Sequence, residues 1–231
     1  AAARRFAALI ARRASGEPVA YLIGEREFMA LPFRVGPGAL VPRPETELLV
    51  EWALGWLAHR PRAVVLDIGT GSGAIAVALA AHLAPDWAGR IIAADRSGEA
   101  LAWAARNRAA LAQSQRVRLV RGDLTDWCAA GAADLLLANL PYLTPGQIAE
   151  NPDLAAEPRT ALDGGPDGLD LVRRLLADAP RALAAGGAFG LELDPSQTEP
   201  VAALARQTLP GARIRIIADL SGRPRHVVGE R

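Results

Sequence analysis

The tetrad Asn139-Leu140-Pro141-Tyr142 closes an apolar run, Leu135-Leu136-Leu137-Ala138, that reads as a β-strand. Asn139 is therefore expected at the carboxyl edge of a sheet. Its side-chain oxygen and the backbone carbonyl of Leu140 are two acceptors, one residue apart. They suit a planar NH2 group whose nitrogen lone pair is delocalised into an amide or a ring. Pro141 restricts Leu140 to extended backbone and so fixes the direction of that carbonyl. Tyr142 offers a flat face to a planar group. Such a site works through orientation and proximity and requires no general base of shifted pKa. By itself the tetrad also fits an ordinary strand-end turn, since Asn-x-Pro is at home in turns.

A second segment changes that balance. Val64-Val65-Leu66-Asp67-Ile68-Gly69-Thr70-Gly71-Ser72-Gly73-Ala74 reads as strand, tight glycine turn and helix. Glycines let backbone approach a ligand closely, and the helix start offers free N–H groups. The spacing fits the dinucleotide pattern with Ala74 in its last place, so NAD and nucleoside binding both satisfy it. Asp67 at the end of the strand is expected to face the crevice above the sheet and to meet a cationic ligand directly or through water. It would repel a pyrophosphate but not the sulfonium and amino groups of S-adenosylmethionine. Asp95 follows the next strand at the spacing from which an acid binds both ribose hydroxyls. Asp123 and Leu124, after a third strand, are placed to take an adenine amino group and ring.

The elements that must position these residues alternate. Strands are expected near 64–66, 91–94, 117–120, 135–138, 188–193, 214–217 and 227–228, with helices over 73–83, 98–111, 168–184 and 197–207. That alternation predicts an α/β fold with a mainly parallel, doubly wound sheet and a hairpin at the end of the chain. Ahead of it, residues 1–14 read as a helix with a basic edge. Residues 20–41 read as a short hairpin with turns and no helix. A further helix opens at Pro42-Arg43-Pro44-Glu45-Thr46-Glu47 and runs to about residue 58. Residues 143–167 form the longest interruption and are expected to act as a lid.

Composition removes other chemistries. Among 231 residues all 26 basic side chains are Arg, so no Walker lysine, Schiff-base lysine or lysine base exists. One Cys, Cys128, excludes disulfide scaffolds and cysteine zinc clusters, and three scattered His cannot form a His-Glu-x-x-His site. No metal is expected. A net charge of +1 gives no global field for nucleic acid, and no apolar run reaches membrane-span length. The first residue is not Met, so the chain is expected to be processed or trimmed; one Cys and no export signal suggest the cytoplasm.

The tetrad resembles the Asn/Asp-Pro-Pro-Tyr pattern of amino-group methyltransferases, with Leu140 in place of the first Pro. Adenine-N6 enzymes share that pattern, and rRNA adenine dimethyltransferases also show Asn-Leu-Pro-Tyr. The flanks are more selective. Gly16-Glu17-Pro18-Val19-Ala20-Tyr21-Leu22-Ile23-Gly24, Glu27-Phe28, the run Leu40 to Val50, and Glu157 to Gly165 with Gly168-Leu169-Asp170 resemble the HemK/PrmC family, as do Glu192 and Gln197 by position. Asp194-Pro195 departs from a commonly glycine-containing segment.

The resemblance implies a Rossmann-like, seven-stranded S-adenosylmethionine-dependent methyltransferase. Its acceptor would be the side-chain nitrogen of the glutamine in the Gly-Gly-Gln loop of peptide-chain release factors. It implies a remnant of an N-terminal helical domain over 1–14, a hairpin linker over 15–43 and a catalytic domain over 44–231. Asp67, Ile68, Gly69, Thr70, Gly71, Asp95, Asp123, Leu124 and Asn139 would contact the cofactor. Asn139, Leu140, Pro141 and Tyr142 would hold the glutamine amide and carry catalysis, with Arg43, Pro44, Glu45 and Thr46 walling the site. The partner would be the release factor, with no membrane, no direct nucleic acid and a monomeric chain. The alternative is an adenine-N6 methyltransferase on DNA or RNA, for which Arg4, Arg5, Arg12, Arg13, Arg106, Arg108, Arg116 and Arg118 would have to form a basic track.

Overall fold

Three helices and a hairpin precede the sheet in the computed structural model, which describes residues 2–231. α1 (Ala2–Ala14) is followed by α2 (Val19–Ile23), which Gly24 ends in the left-handed conformation. Residues 19–23 are thus helical, where a hairpin with turns is the sequence expectation. The true hairpin, β1 (Glu25–Phe28) and β2 (Leu31–Arg34), turns at Met29-Ala30. α3 (Glu45–Leu57) then begins behind Pro44.

The sheet comprises β3 (Val64–Ile68), β4 (Arg90–Asp95), β5 (Val117–Arg121), β6 (Ala133–Ala138), β7 (Leu183–Glu192), β8 (Arg213–Ala218) and β9 (Pro224–Glu230). Its order is β5-β4-β3-β6-β7-β9-β8. The first five pair in parallel, and β9 runs antiparallel between β7 and β8. The closing hairpin expected from the sequence is therefore present, with β8 as the outer strand.

The sheet is buried on both faces because its strands alternate apolar side chains between two clusters. On one face Val65, Leu135, Leu137 and Ile91 lie under α3 and α4 (Ala74–His82), and α5 (Gly98–Ala110) packs beside them. On the other, Leu66, Leu136 and Phe189 meet α7 (Asp170–Ala182) and α8 (Thr198–Thr208). The β1–β2 hairpin joins the first cluster, where Phe28 and Phe33 stack edge to face at 5.8 Å.

Residues 143–167 hold α6 (Pro145–Glu150) and two short 3-10 turns, 152–154 and 159–161. Leu143 bridges Asp163, and buried Glu157 accepts from the Val41 backbone N–H and from Arg43. The expected lid is thus a structured segment tied to the stretch before α3. No described helix is long and apolar enough to cross a membrane.

Candidate active site

β3 adjoins β4 on one side and β6 on the other, so the chain reverses its direction of winding there. Ligands of open parallel sheets bind above the carboxyl ends of strands at such a point. Ile68 is level with Ala94 and with Ala138, which brings Gly69, Asp95 and Asn139 to one edge.

A cleft of about 730 Å³ opens over that edge. Ile68, Gly69 and Gly71 line its centre, Asp95 one wall, and Gly122, Asp123 and Leu124 its far end; Asn139, Leu140 and Pro141 close the other end. Gly38, Ala39 and Leu40 from ahead of α3, with Pro158, Thr160 and Ala161, face it from above. The positive φ of +72° at Gly69 is one reason for glycine there, and proximity is the other. A Cβ at this position would stand 2.9 Å from Leu140 Cδ2. The glycine turn and the tetrad thus touch.

Of the residues expected at the cofactor, the structure moves one and reassigns parts of others. Asp67 does not line the cleft surface: it is fully buried beside the start of α4, where Oδ2 accepts from Thr70 Oγ1 at 2.5 Å and Ala76 N at 3.1 Å. Its Oδ1 is buried with no hydrogen-bond partner. Burial pushes its pKa up to about 7, the nearby Asp95 charge adds to that, and the Thr70 and Ala76 bonds oppose it. Thr70 accordingly supports Asp67 and lines an adjoining hollow with Thr46, not the main cleft. Asp95 accepts from Gly71 N and Ser97 N, both at 2.9 Å, which fixes its carboxylate at the cleft wall. The helix cap of α5 is Ser97, which accepts from Ala100 N. Asp123 gives one oxygen to Arg174 at 2.6 Å and still lines the cleft. Leu124, with φ of +46°, holds its side chain buried against the cleft's end.

These features suit S-adenosylmethionine. The orphaned Asp67 Oδ1 is a buried acceptor fit for a cationic group, the Asp95 carboxylate retains lone pairs for ribose hydroxyls, and Leu124 supplies apolar surface for a base. Among the described residues no cluster of His, Cys, Asp and Glu could hold a metal ion.

At the tetrad end, Asn139 Nδ2 donates to Thr46 Oγ1 at 3.0 Å, and Thr46 Oγ1 donates to Glu192 Oε2 at 2.5 Å. Tyr142 Oη donates to Glu192 Oε1 at 3.4 Å. Burial, then the Glu192 charge, pushes the Tyr142 phenol well above its ordinary range, so it stays protonated. A second hollow beside the tetrad is lined by Arg43, Asn139, Tyr142, Asn151 and Leu154, an opening for an acceptor chain.

Three fastenings lie outside the glycine turn and the tetrad. Gln197 Nε2 donates to the carbonyls of Tyr142 at 2.8 Å and Asp167 at 3.1 Å. Asp194-Pro195, the departure noted in the sequence, starts the 3-10 turn that aims Gln197: the Asp194 N–H donates to Gln197 Oε1, and Asp194 Oδ1 accepts from Ser196 N. Gly164 and Gly168 press on the same backbone, and a Cβ on them would meet Pro141 O at 2.6 Å and Tyr142 O at 2.1 Å. Asn107, fully buried on α5, is absent from the sequence expectations. Its Oδ1 accepts from Arg34 N, and its Nδ2 donates to Arg34 O and Ser72 O, tying β2 to the glycine turn. Its only sequence signal is an Asn on the stripe of Ala100 and Ala104.

Known proteins resemble the chain in sequence and in fold. Residues 65–157 match the family model described as a methyltransferase domain, and residues 1–24 match the PrmC N-terminal domain. The chain is 42% identical to the release factor glutamine methyltransferase of Moorella thermoacetica over 226 residues, covering 97% of this chain and 79% of that one. To the enzyme of the same name from Cereibacter sphaeroides it is 44% identical over 230 residues, covering 98% and 79%. Among solved structures, the hMettl16 catalytic domain with an RNA hairpin superposes with a TM-score of 0.70 at 16% identity, covering 93% of this chain and 82% of that one. The ribosomal protein L11 methylase of Lactobacillus delbrueckii gives 0.60 at 20% identity, covering 86% and 84%; both likenesses speak to the fold alone. At this identity over nearly its whole length, the chain belongs to the family of release factor glutamine methyltransferases.

Proposed function

We propose that the protein transfers a methyl group from S-adenosylmethionine to the side-chain amide nitrogen of the glutamine in the Gly-Gly-Gln loop of a peptide-chain release factor. The observation that carries this reading is the contact of the tetrad with the glycine turn, which sets two fixed acceptors beside the cofactor cleft. When bound, S-adenosylmethionine supplies a methyl group on a sulfonium sulfur. Gly69 and Gly71 would let it lie close to the backbone, Asp95 would hold ribose hydroxyls, and Asp123 and Leu124 the base. Asp67 would favour a cationic end through Oδ1.

The residues at the acceptor do the orienting. Asn139 Oδ1 and the Leu140 carbonyl would each accept one N–H of the glutamine amide. Pro141 keeps that carbonyl aimed, and Tyr142 lies against the amide plane. Holding both N–H groups in place turns the nitrogen lone pair toward the incoming methyl, so proximity and orientation supply the rate. One N–H proton leaves after the methyl arrives, and neutral oxygens on both N–H groups suit its late loss to solvent.

The arginines that would be needed for a nucleic-acid acceptor are largely engaged elsewhere. Arg12 pairs with Glu17 and Arg13 with Asp153. Arg106 lies 4.6 Å over the Trp103 ring, Arg108 donates to Val117 O, and Arg116 donates to four carbonyls from Ala80 to Pro85. That supports a protein acceptor over adenine. We further place the chain as a monomer.

The test gives the enzyme methyl-labelled S-adenosylmethionine with an unmodified release factor and, separately, an adenine-bearing oligonucleotide. Label is expected on the release factor and is lost when its Gly-Gly-Gln glutamine is replaced; label on the oligonucleotide alone would overturn the reading. Asn139→Ala is expected to keep cofactor binding by calorimetry and to lower transfer roughly 100-fold or more, the size seen when one preorganised polar group is removed.

A further inference from the structure

We propose that Thr46 and Glu192 are positioning residues that determine which way the Asn139 amide faces, and through it which acceptor the site admits. The inference rests on the glutamine reading above and deepens it.

Three elements meet behind the tetrad. Thr46 lies in the first turn of α3, Glu192 at the end of β7, and Asn139 just past β6. Thr46 and Glu192 are 3% and 1% exposed, so water does not compete for their bonds. A carboxylate only accepts, and a hydroxyl has one proton. Thr46 gives that proton to Glu192 Oε2, which leaves only lone pairs on its oxygen for Asn139. The group of Asn139 that faces Thr46 must therefore be its NH2, as found at 3.0 Å. A reversed amide would set two oxygens against each other in a buried place, an unmade bond where both groups have lost water. Asn139 Oδ1 is thus held away from Thr46, on the side where the residue lines the clefts.

The same carboxylate steadies the tetrad twice, because Glu192 Oε1 accepts from Tyr142 Oη. On its far side Glu192 is level with His226 of β9, whose Nε2 is 3.8 Å from Oε2, beyond hydrogen-bond reach. Thr46 therefore keeps Oε2 to itself. Closeness of α3 to the sheet makes the arrangement possible: a Cβ on Gly190 would stand 2.7 Å from Leu49 and 2.8 Å from Trp52.

The chemical consequence is selectivity. Asn139 Oδ1 and the Leu140 carbonyl together require two donors on one nitrogen. A glutamine amide meets that demand, whereas a glutamate side chain offers oxygens to oxygens. Freed from Thr46, Asn139 can turn its NH2 outward and donate to the carboxylate.

The test compares wild type with Thr46→Val, which keeps shape and removes the hydroxyl, and with Thr46→Ser, which restores it. For Thr46→Val, kcat on the release factor is expected to fall roughly 100-fold, the scale of a misplaced reacting group, with KM and cofactor affinity little changed. Thr46→Ser is expected to recover most of the rate. In an Asn139→Ala background Thr46→Val is expected to add no further loss, since both act through one side chain. A release factor with Gly-Gly-Glu in place of Gly-Gly-Gln is expected to inhibit the Thr46→Val enzyme more than wild type.

Wild-type turnover in Thr46→Val, or a full additional loss in the Asn139→Ala background, would overturn the proposal. If Thr46→Val does not fold, Glu192→Leu, which removes the acceptor of the Thr46 proton, carries the test: an unchanged kcat there is equally fatal. A substrate-free readout separates this inference from the glutamine reading. The Asn139 side-chain NH2 protons, followed by NMR, are expected to exchange slowly in wild type and fast in Thr46→Val. Equal exchange refutes the positioning role, whereas slow exchange in a wild type that labels no release factor refutes the glutamine reading and leaves the positioning role standing.

Discussion

Asp67 carries a pH dependence. Burial has raised its pKa to about 7, so the folded protein holds a proton there that the unfolded chain gives up near pH 4. Stability from this group is fully present below the unfolded value and is lost as pH rises through about 7. Binding has the opposite sign, because the cationic end of the cofactor favours the ionised acid. Affinity for S-adenosylmethionine is expected to rise with pH through about 7 and to decline again as the ligand's α-amino group deprotonates at roughly 7.7–8.0. Asp67→Asn should flatten the rising limb in a calorimetric pH series; an unchanged limb would mean that Oδ1 has no part in binding. At this scale the sequence was informative about type and spacing. Asp95, the glycines and the tetrad stand together where strand ends predicted. The complete burial of Asp67 was not legible, because no sequence signal marks how closely Thr70 and the first turn of α4 close over a side chain at a strand's end. Thr46 and Glu192 lie 146 positions apart, and only the packing of α3 on β7 brings them together.

The β1–β2 hairpin shows the same limit one level up. Two-residue hairpin turns favour Asn-Gly, since both positions need positive φ. Here Met29 and Ala30 occupy them at +52° and +57°, so the usual signal is missing: the sequence predicts a hairpin with turns within 20–41 but does not mark these two residues as the turn. Side chains offset the strain: Glu47 accepts from Met29 N and Glu27 from Ala30 N. Ala30 is exposed, and Ala30→Gly is expected to stabilise by about 1 kcal/mol by removing its left-handed penalty. That corresponds to a rise of roughly 2–4 °C in Tm for a protein of this size. A lower Tm would mean that glycine's greater freedom in the unfolded chain outweighs the relief. The second fastening of the hairpin is Asn107. Its replacement by Ala leaves the buried Ser72 carbonyl and the part-buried Arg34 N–H and carbonyl without this partner, and is expected to cost about 2 kcal/mol. Because one of those carbonyls is Ser72 of the glycine turn, cofactor affinity should fall with it. Loss of stability alone would assign Asn107 to the hairpin only. Regular strands and helices were legible from their apolar periods, but a polar residue inside a helix carries no mark of what it will meet.

For the whole molecule, the divisions at residues 14 and 43 make different predictions. α1 buries none of its residues, and Phe6 and Ile10 face outward. It is tied to the rest by Arg12–Glu17 and Arg13–Asp153, exposed pairs of the kind that contribute little. A chain starting at residue 15 should therefore melt within a few degrees of the full chain and bind S-adenosylmethionine equally well. The segment up to residue 43 is built in differently. Phe28 and Phe33 are 1% and 0% exposed within the cluster that also holds Val50, Leu57 and Leu79. Val41 and Arg43 satisfy the buried Glu157 carboxylate, and Gly38 to Leu40 face the cofactor cleft. A chain starting at residue 44 removes two aromatic side chains at roughly 3–5 kcal/mol each and leaves Glu157 buried without either partner. Against a typical total of about 5–15 kcal/mol, that loss is expected to prevent folding. Circular dichroism and calorimetry on the two truncations decide the matter. Retention of cofactor binding by the shorter chain would show that 44–231 folds alone, with the hairpin as an attachment; its collapse beside an intact chain from residue 15 would make the hairpin part of the methyltransferase domain, holding the cleft from above and the glycine turn from the side.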